Sequence, residues 1–335
     1  MIRGQAIRTI LRVLLWVALA ALPISARAER VALMVGGIEK QIYLPLILAS
    51  HLGYFSDEGL DVEILSEPAG AEAADEMLAG AVQGVIGFYD HNIQLQALGK
   101  YTEAVVQFSQ VPGEVELVTN RRPAVRSVAD LRGLRLGVTG LGSSTDFLTE
   151  YLLVRSGLRM QDVTPVPVGA GDTLIAALRQ DHVQAAMTTE PTVSRLLGSG
   201  DARVLVDLRT ANGTRAALGG LYPAACLYMD SGWVAAHRTT VQKLANAFVR
   251  TMRYIASHDA AEIADHVPQD FYAGNRAMYV QALTDGKAMF TPDGRMPDGG
   301  PENVLTVLSA FMDGVSPATV DLSRTYTNDF VETAP

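Results

Sequence analysis

A single cysteine, Cys226, stands in a chain of 335 residues, so no internal disulfide can form. It lies in the apolar run Ala224–Tyr228, the setting of a core residue rather than a nucleophile. No Gly-x-Ser-x-Gly nucleophile elbow and no Gly-x4-Gly-Lys phosphate loop occurs, which removes two common routes to hydrolase or nucleotide chemistry. The histidines, His51, His91, His182, His237, His258 and His266, show no zinc-ligand spacing, and neither a metal nor a cofactor is expected. Repeats of fixed period and low-complexity tracts are also missing. Basic residues are the scarcer sign, 27 against 36 acidic, for a formal net charge of −9. Nucleic-acid binding rests on cationic contacts to phosphate, so that class is set aside.

Long apolar runs are absent beyond residue 28. Before it, Arg3, Arg8 and Arg12 flank an apolar core, Val13–Leu22, too short to span a bilayer. Ala26-Arg27-Ala28 fits a small-x-small cleavage site, so a secretory signal cleaved after Ala28 and a periplasmic location are expected. The segment has no cysteine for a lipid anchor and no adjacent Arg-Arg pair, which favours the general secretory route. An uncleaved N-terminal anchor is the alternative. Cleavage removes four arginines and no acid, leaving 307 residues at a net charge of −13. With 48% apolar residues, that length supports one large or two modest domains.

What the chain does contain is alternation. Val31–Val35 reads as a strand ended by Gly36-Gly37, and Ile42–Phe55 as a helix with Pro45 in its first turn. Asp61–Leu65 is a second strand, Ala71–Ala79 a short helix, and Gly84–Phe88 a third strand followed by Tyr89-Asp90-His91. A β-α-β-α-β series of this kind builds a parallel sheet with helices on its faces, and ligands bind beyond the carboxyl ends of its strands. Val105–Phe108 and Glu114–Thr119 are further strand candidates, with a turn at Pro112-Gly113. A second series follows: strand Leu136–Val138, helix Ser144–Ser156, strand Val163–Val168, helix Asp172–Arg179, strand Val183–Met187, helix Thr192–Leu197 and strand Val204–Asp207. After a loop holding Asn212, Gly213, Gly219 and Gly220, Pro223–Tyr228 reads as a returning strand. The two series join near 115–120, and the chain leaves the second near 219–226. Thereafter it is helical, with stripes at Val241, Leu244, Phe248, Met252 and Ile255 and at Val304, Leu305, Leu308 and Phe311.

Leu136–Leu153 combines a short apolar strand, a Gly140/Gly142 turn and Ser143-Ser144-Thr145 opening a helix. The free N–H groups and small hydroxyls there suit an anionic or polar head group, or the serines simply cap the helix. Asp146 and Glu150 nearby weaken the anion reading by up to about 1 kcal/mol each and keep a neutral or cationic ligand in contention. Asp90 is either a ligand contact or the N-cap of the helix at His91, and His91 either a contact or an exposed helix start. Glu190, before Pro191, either faces the ligand or complements a helix N-terminus.

Several stretches together resemble one family. Tyr43-Leu44-Pro45-Leu46-Ile47-Leu48-Ala49, then Gly53-Tyr54-Phe55 and Glu58-Gly59-Leu60-Asp61-Val62-Glu63, are similar to the opening signature of periplasmic solute-binding proteins of ABC importers. The group concerned covers nitrate, alkanesulfonates, taurine and thiamine-pyrimidine precursors. Asp130-Leu131-Arg132-Gly133, Gly142-Ser143-Ser144, Glu190-Pro191 and the Asp329-Phe330-Val331 ending add to the likeness. The resemblance implies an α/β, two-lobed periplasmic-binding-protein fold, type II-like, with each lobe a mixed β-sheet flanked by helices and a C-terminal helical coat. Expected boundaries are 29–117 for the first part of lobe 1, 118–220 for lobe 2, and 221–335 for the return to lobe 1 and the terminal helices. It implies capture of a small organic solute (sulfonate, carboxylate or pyrimidine-like) in an interlobe cleft, and delivery to an inner-membrane ABC permease by a monomer that is not an enzyme. Matching positions for the ligand site are Gly37, Gln41, Tyr89, Asp90, His91, Ser143, Ser144, Thr145, Thr189, Glu190 and Tyr222. Tyr89 and Tyr222 would pack on an organic body. The alternatives are an enzyme like the thiamine-pyrimidine synthases, disfavoured because Cys226 is alone, and a periplasmic ligand sensor.

Overall fold

The computed structural model describes residues 28–335, so the expected secretory signal lies outside the described residues. Ten strands divide equally between two sheets. The first holds β1 (Glu29–Gly36), β2 (Leu60–Glu67), β3 (Gly84–Phe88), β4 (Thr102–Gln107) and β10 (Ala225–Asp230), in the order β2-β1-β3-β10-β4. The second holds β5 (Glu114–Thr119), β6 (Arg135–Val138), β7 (Thr164–Pro167), β8 (Ala185–Thr189) and β9 (Ala202–Asp207), in the order β7-β6-β8-β5-β9.

The two sheets share one plan. Each has a parallel trio, and each receives one antiparallel strand in its fourth place: β10 between β3 and β4, and β5 between β8 and β9. The central strands β3 and β8 are buried along their length, as their apolar runs require, whereas beyond Leu60 the edge strand β2 has only half-buried and exposed positions. The expected mixed sheets are therefore present. The expected boundary at 117/118 falls inside β5, and β5 belongs whole to the second sheet. The first crossing is therefore Phe108–Gly113, earlier than the sequence suggested, because Pro112-Gly113 is the end of the connection rather than a hairpin turn. The second crossing, 219–224, lies beside the first: Phe108 N–H donates to Ala225 O (2.7 Å) and Ala224 N–H to Ser109 O (3.1 Å).

Helices cover both sheets. The expected helix over Ile42–Phe55 is divided into a 3-10 turn at Gln41–Tyr43, α1 (Leu44–His51) and α2 (Tyr54–Asp57), broken where Gly53 takes φ +76°. Next come α3 (Gly70–Leu78) and α4 (Asp90–Ala97) on the first sheet, then α5 (Ser144–Arg155), α6 (Asp172–Arg179) and α7 (Thr192–Gly198) on the second. The expected loop around Asn212–Gly220 contains α8 (Ala211–Leu218). Two local signals make it a helix. Thr210 caps it, accepting from Gly213 N–H (3.1 Å), and Gly219 ends it at φ +86°. Gly213 is there for space, since a Cβ would stand 2.2 Å from Asp207 O.

The remaining helices, α9 (Ser231–Ala236), α10 (Arg238–Ser257), α11 (Ala260–Ala264), α12 (Arg276–Gly286), α13 (Gly300–Ser309) and α14 (Asp329–Glu332), form the C-terminal coat. The long α10 packs its apolar stripe against α1, α2 and β4. α13 touches both α4 and α5 and so spans the two halves of the molecule. Among the described residues no helix is long and apolar enough to cross a membrane.

Candidate functional site

The carboxyl ends of β1, β3, β6 and β8 meet across one cleft. Because β5 runs antiparallel to β8, its first residue lies at the same edge, with Glu114 paired in register to Thr189. Between the two halves lies a cavity of about 20 Å³, lined by Lys40, Tyr43, Gly70, Phe88 and His91 from one side and Glu114, Thr139, Ser143, Ser144, Thr145 and Thr189 from the other. That is room for about one water molecule.

The halves touch each other directly around it. Ser144 Oγ donates to Asp90 Oδ1 (2.8 Å), Ala71 N–H donates to Ser143 Oγ (3.2 Å), and Gln41 N–H donates to Glu190 O (2.9 Å). Gly140 permits the approach, since a Cβ there would stand 2.8 Å from Ala69 Cβ. The small residues at the turn thus serve contact between the halves as well as the local turn.

Of the eleven expected positions, His91, Ser143, Ser144, Thr145 and Thr189 line the cavity. The hydroxyls of the serine-threonine turn are already engaged. Ser143 and Ser144 tie the halves, and Thr145 Oγ1 accepts from Thr139 N–H (3.0 Å). Asp90 caps no helix by its side chain; it accepts from Ser144 and from Tyr222 OH (2.9 Å). Burial pushes its carboxyl above the usual range, against the pull of His91 and of those two hydrogen bonds. The same burial, with Asp90 beside it, keeps Tyr222 protonated and a donor. Tyr89 turns away from the cavity, pairing its OH with Thr325 in a buried cluster. Glu190 serves α7, accepting from Ser194 N–H (2.9 Å), and is held by Arg209 (2.9 Å), which also grips Asp207. Gln41 donates to Tyr279 O (3.1 Å). Gly37, at φ +101°, supports the stem of Lys40.

The cavity is also lined by residues outside those eleven positions. Lys40, 7% exposed, donates from Nζ to Gly36 O (2.5 Å), and its pKa is lowered by burial. Glu114, 2% exposed, has Oε2 buried without any partner. Burial and the charge of Asp90 hold its carboxyl well above the usual range, with Lys40 opposing. Tyr43 and Phe88 form an aromatic wall, edge to face at 6.2 Å. The signal for Glu114 was its place at the start of a strand, which counts as a ligand-facing position only once that strand is known to be antiparallel. Among the described residues no group of three or more His, Cys, Asp or Glu side chains is placed to hold a metal.

Comparison with known proteins agrees with this architecture. The sequence profile described as the NMT1-like family matches residues 26–267. The chain belongs to the NMT1-like family. A solved structure from Bordetella bronchiseptica RB50 is 36% identical, with a TM-score of 0.88 over 90% of this chain and 96% of that one. The alkanesulfonate-binding protein SsuA from Xanthomonas axonopodis pv. citri, solved with MOPS, is 20% identical with a TM-score of 0.72, over 91% of this chain and 100% of that one. The periplasmic nitrate-binding protein NrtA from Synechocystis PCC 6803 is 14% identical with a TM-score of 0.69, over 91% and 88%. The desulfurization enzyme DszB shares the fold as well. No curated protein sequence matches. This NMT1-like chain therefore has the periplasmic-binding-protein fold that its sequence resemblance implied.

Proposed function

We propose that this protein is the periplasmic substrate-binding component of an ABC import system, capturing a small organic solute between its lobes and passing it to a membrane permease. One lobe would comprise 29–113 with 221–335, and the other 114–220. The observation that carries the reading is the cavity, enclosed between the carboxyl ends of two sheets and lined from both halves. At about 20 Å³ it admits no organic solute while the halves touch, so entry requires them to part. The two adjacent crossings are the natural hinge, and a ligand contacting both halves would stabilise closure. The known binding roles of SsuA and NrtA on the same fold support the reading.

DszB keeps an enzymatic reading in view, but the buried Cys226, its thiol pushed well up by burial, offers it no reactive thiolate. The test is thermal unfolding and mass spectrometry on ligand-stripped, refolded protein. The expected result is that a bound solute raises Tm and is recovered chemically intact. Recovery as a changed product would replace the binding role with catalysis.

A further inference from the structure

Two carboxyl groups approach the cavity from opposite halves, and they are served unequally. Asp90, on α4, accepts from Ser144 Oγ (2.8 Å) and from Tyr222 OH (2.9 Å). Glu114, at the start of β5, has Oε2 buried with no partner. Titratable groups face Glu114 from each side. Lys40 and Tyr43 come from the turn before α1, His91 from α4, Tyr222 from the second crossing, and Glu116 from its own strand. From α5 and β8 the lining receives hydroxyls alone, those of Ser144, Thr145 and Thr189. Lys40 Nζ stands 2.5 Å from Gly36 O and 3.5 Å from Pro68 O, both in its own half. Burial and the Asp90 charge oppose ionisation of Glu114 more strongly than Lys40 favours it.

We infer that closing the two halves is coupled to uptake of a proton by Glu114, so that the closed arrangement is favoured in acid and gives way to the open one as pH rises. This rests on the closing motion of the binding role proposed above. The physical reason is that both influences on Glu114 are made by closure. Parting the halves admits water to the carboxyl and carries Asp90 away with the other half, which leaves an ordinary solvated glutamate. Closing an ionised Glu114 strips its water without supplying a donor to Oε2, whereas a neutral carboxyl bears far less of that cost. The proton comes from solvent and rests on the Glu114 carboxyl. Glu116 differs, because its partner Thr149 (3.3 Å) is in the same half, so its proton belongs to folding rather than to closure. Below the ordinary carboxyl value of 4.5 the Glu114 proton is already in place in the open state, and closure is unopposed. Above it, the closed-to-open ratio falls by up to about tenfold per pH unit, until the pH passes the raised value that holds in the closed state.

The experiment reads closure without any solute. Glu72 and Leu141 are exposed on opposite halves, and a Cβ on Gly140 would stand 3.3 Å from Glu72 Oε1, so the two positions lie close across the cleft. Ligand-stripped, refolded mature protein carrying Glu72→Cys and Leu141→Cys is treated with a short bis-maleimide between pH 6 and pH 8 at constant ionic strength. Cys226 is buried and out of reach. The same pair is placed in a Glu114→Gln background, and the two rates are divided at each pH so that the reactivity of the thiols cancels. The expected result is that the rate with Glu114, relative to the rate with Glu114→Gln, falls at least about tenfold from pH 6 to pH 8. A relative rate constant within about twofold overturns the inference and leaves the binding role standing. Absence of crosslinking in both proteins at every pH overturns the closing motion and this inference with it. Far-UV circular dichroism at both ends of the pH range shows that the variant folds. Should it fail to fold, Glu114→Ala takes its place, with the same expected and overturning results.

Discussion

Replacing Ser144 with alanine removes one hydroxyl whose only described partner is across the cleft. In the closed arrangement Ser144 donates to Asp90 Oδ1 at 2.8 Å, and Asp90 is fully buried. In a parted arrangement both groups would meet water, so the loss falls on the closed state alone. A hydrogen bond of this kind contributes about 1 kcal/mol to a neutral acceptor and up to about 3 kcal/mol to a charged one, and each 1.4 kcal/mol is a factor of ten, so closure should weaken by roughly fivefold to a hundredfold. Ligand affinity includes the free energy of closure and should fall by the same factor. The variant retains the Tyr222–Asp90 bond (2.9 Å), so Asp90 keeps a donor and the fold is not at risk. Isothermal calorimetry gives the affinity, and small-angle scattering with and without ligand gives the extent of closure. Affinity within twofold of wild type, with unchanged scattering, would refute the claim that this bond belongs to closure.

Three further outcomes follow from the same geometry. Gly140→Ala puts a methyl group 2.8 Å from Ala69 Cβ on the opposite half. Overpacking of this kind costs about 1–3 kcal/mol, which should appear as weaker ligand binding with an unchanged ligand-free Tm. Glu116 is buried, accepts from Thr149 Oγ1 (3.3 Å), and has its carboxyl pushed up to about 8 by burial from an ordinary 4.5. The folded state thus holds this proton more tightly than the unfolded state. The stabilisation is full below pH 4.5 and is lost as pH rises through about 8, a span with a ceiling of roughly 5 kcal/mol. Glu116→Gln should remove about one proton's worth of slope from urea-unfolding stability between pH 5 and 8, and an unaltered slope would contradict this. Arg209→Met strips Glu190, 6% exposed, of its cation and should cost about 3 kcal/mol, read as a lower Tm than that of a surface Arg30→Met control.

The sequence made the architecture legible where a local signal and the final packing coincide. The apolar runs at Gly84–Phe88 and Leu136–Val138 are strands because nothing but a central position could bury them. The long stripe after Thr239 is a helix because its period is helical over about four turns. The candidate cavity was legible only where its lining follows a parallel strand, as at His91, Ser143–Thr145 and Thr189. Glu114 escaped because strand direction is a property of the sheet, not of the segment that enters it. Lys40 escaped because a lysine two residues beyond Ile38 looks like any solvated loop cation, until Gly36 and Gly37 bring the chain back under its ammonium. Tyr89 was misplaced for the opposite reason. It stands beside Asp90 in sequence, but the start of α4 turns the two side chains in different directions, one to Thr325 and one to Ser144.

The antiparallel strand in the fourth place of each sheet also orders the events of synthesis. All five strands of the second sheet lie between Glu114 and Asp207, so its ladder can be complete while the C-terminal third of the chain is still unmade. The first sheet cannot close in that interval. Its strands β3 and β4 emerge early but are joined only through β10, which ends at Asp230. For more than a hundred residues of translation, two strand edges with buried, apolar sequences stand open toward each other. The half that is made first is therefore finished last, and the other half is built as an insertion into a sheet still waiting for its keystone.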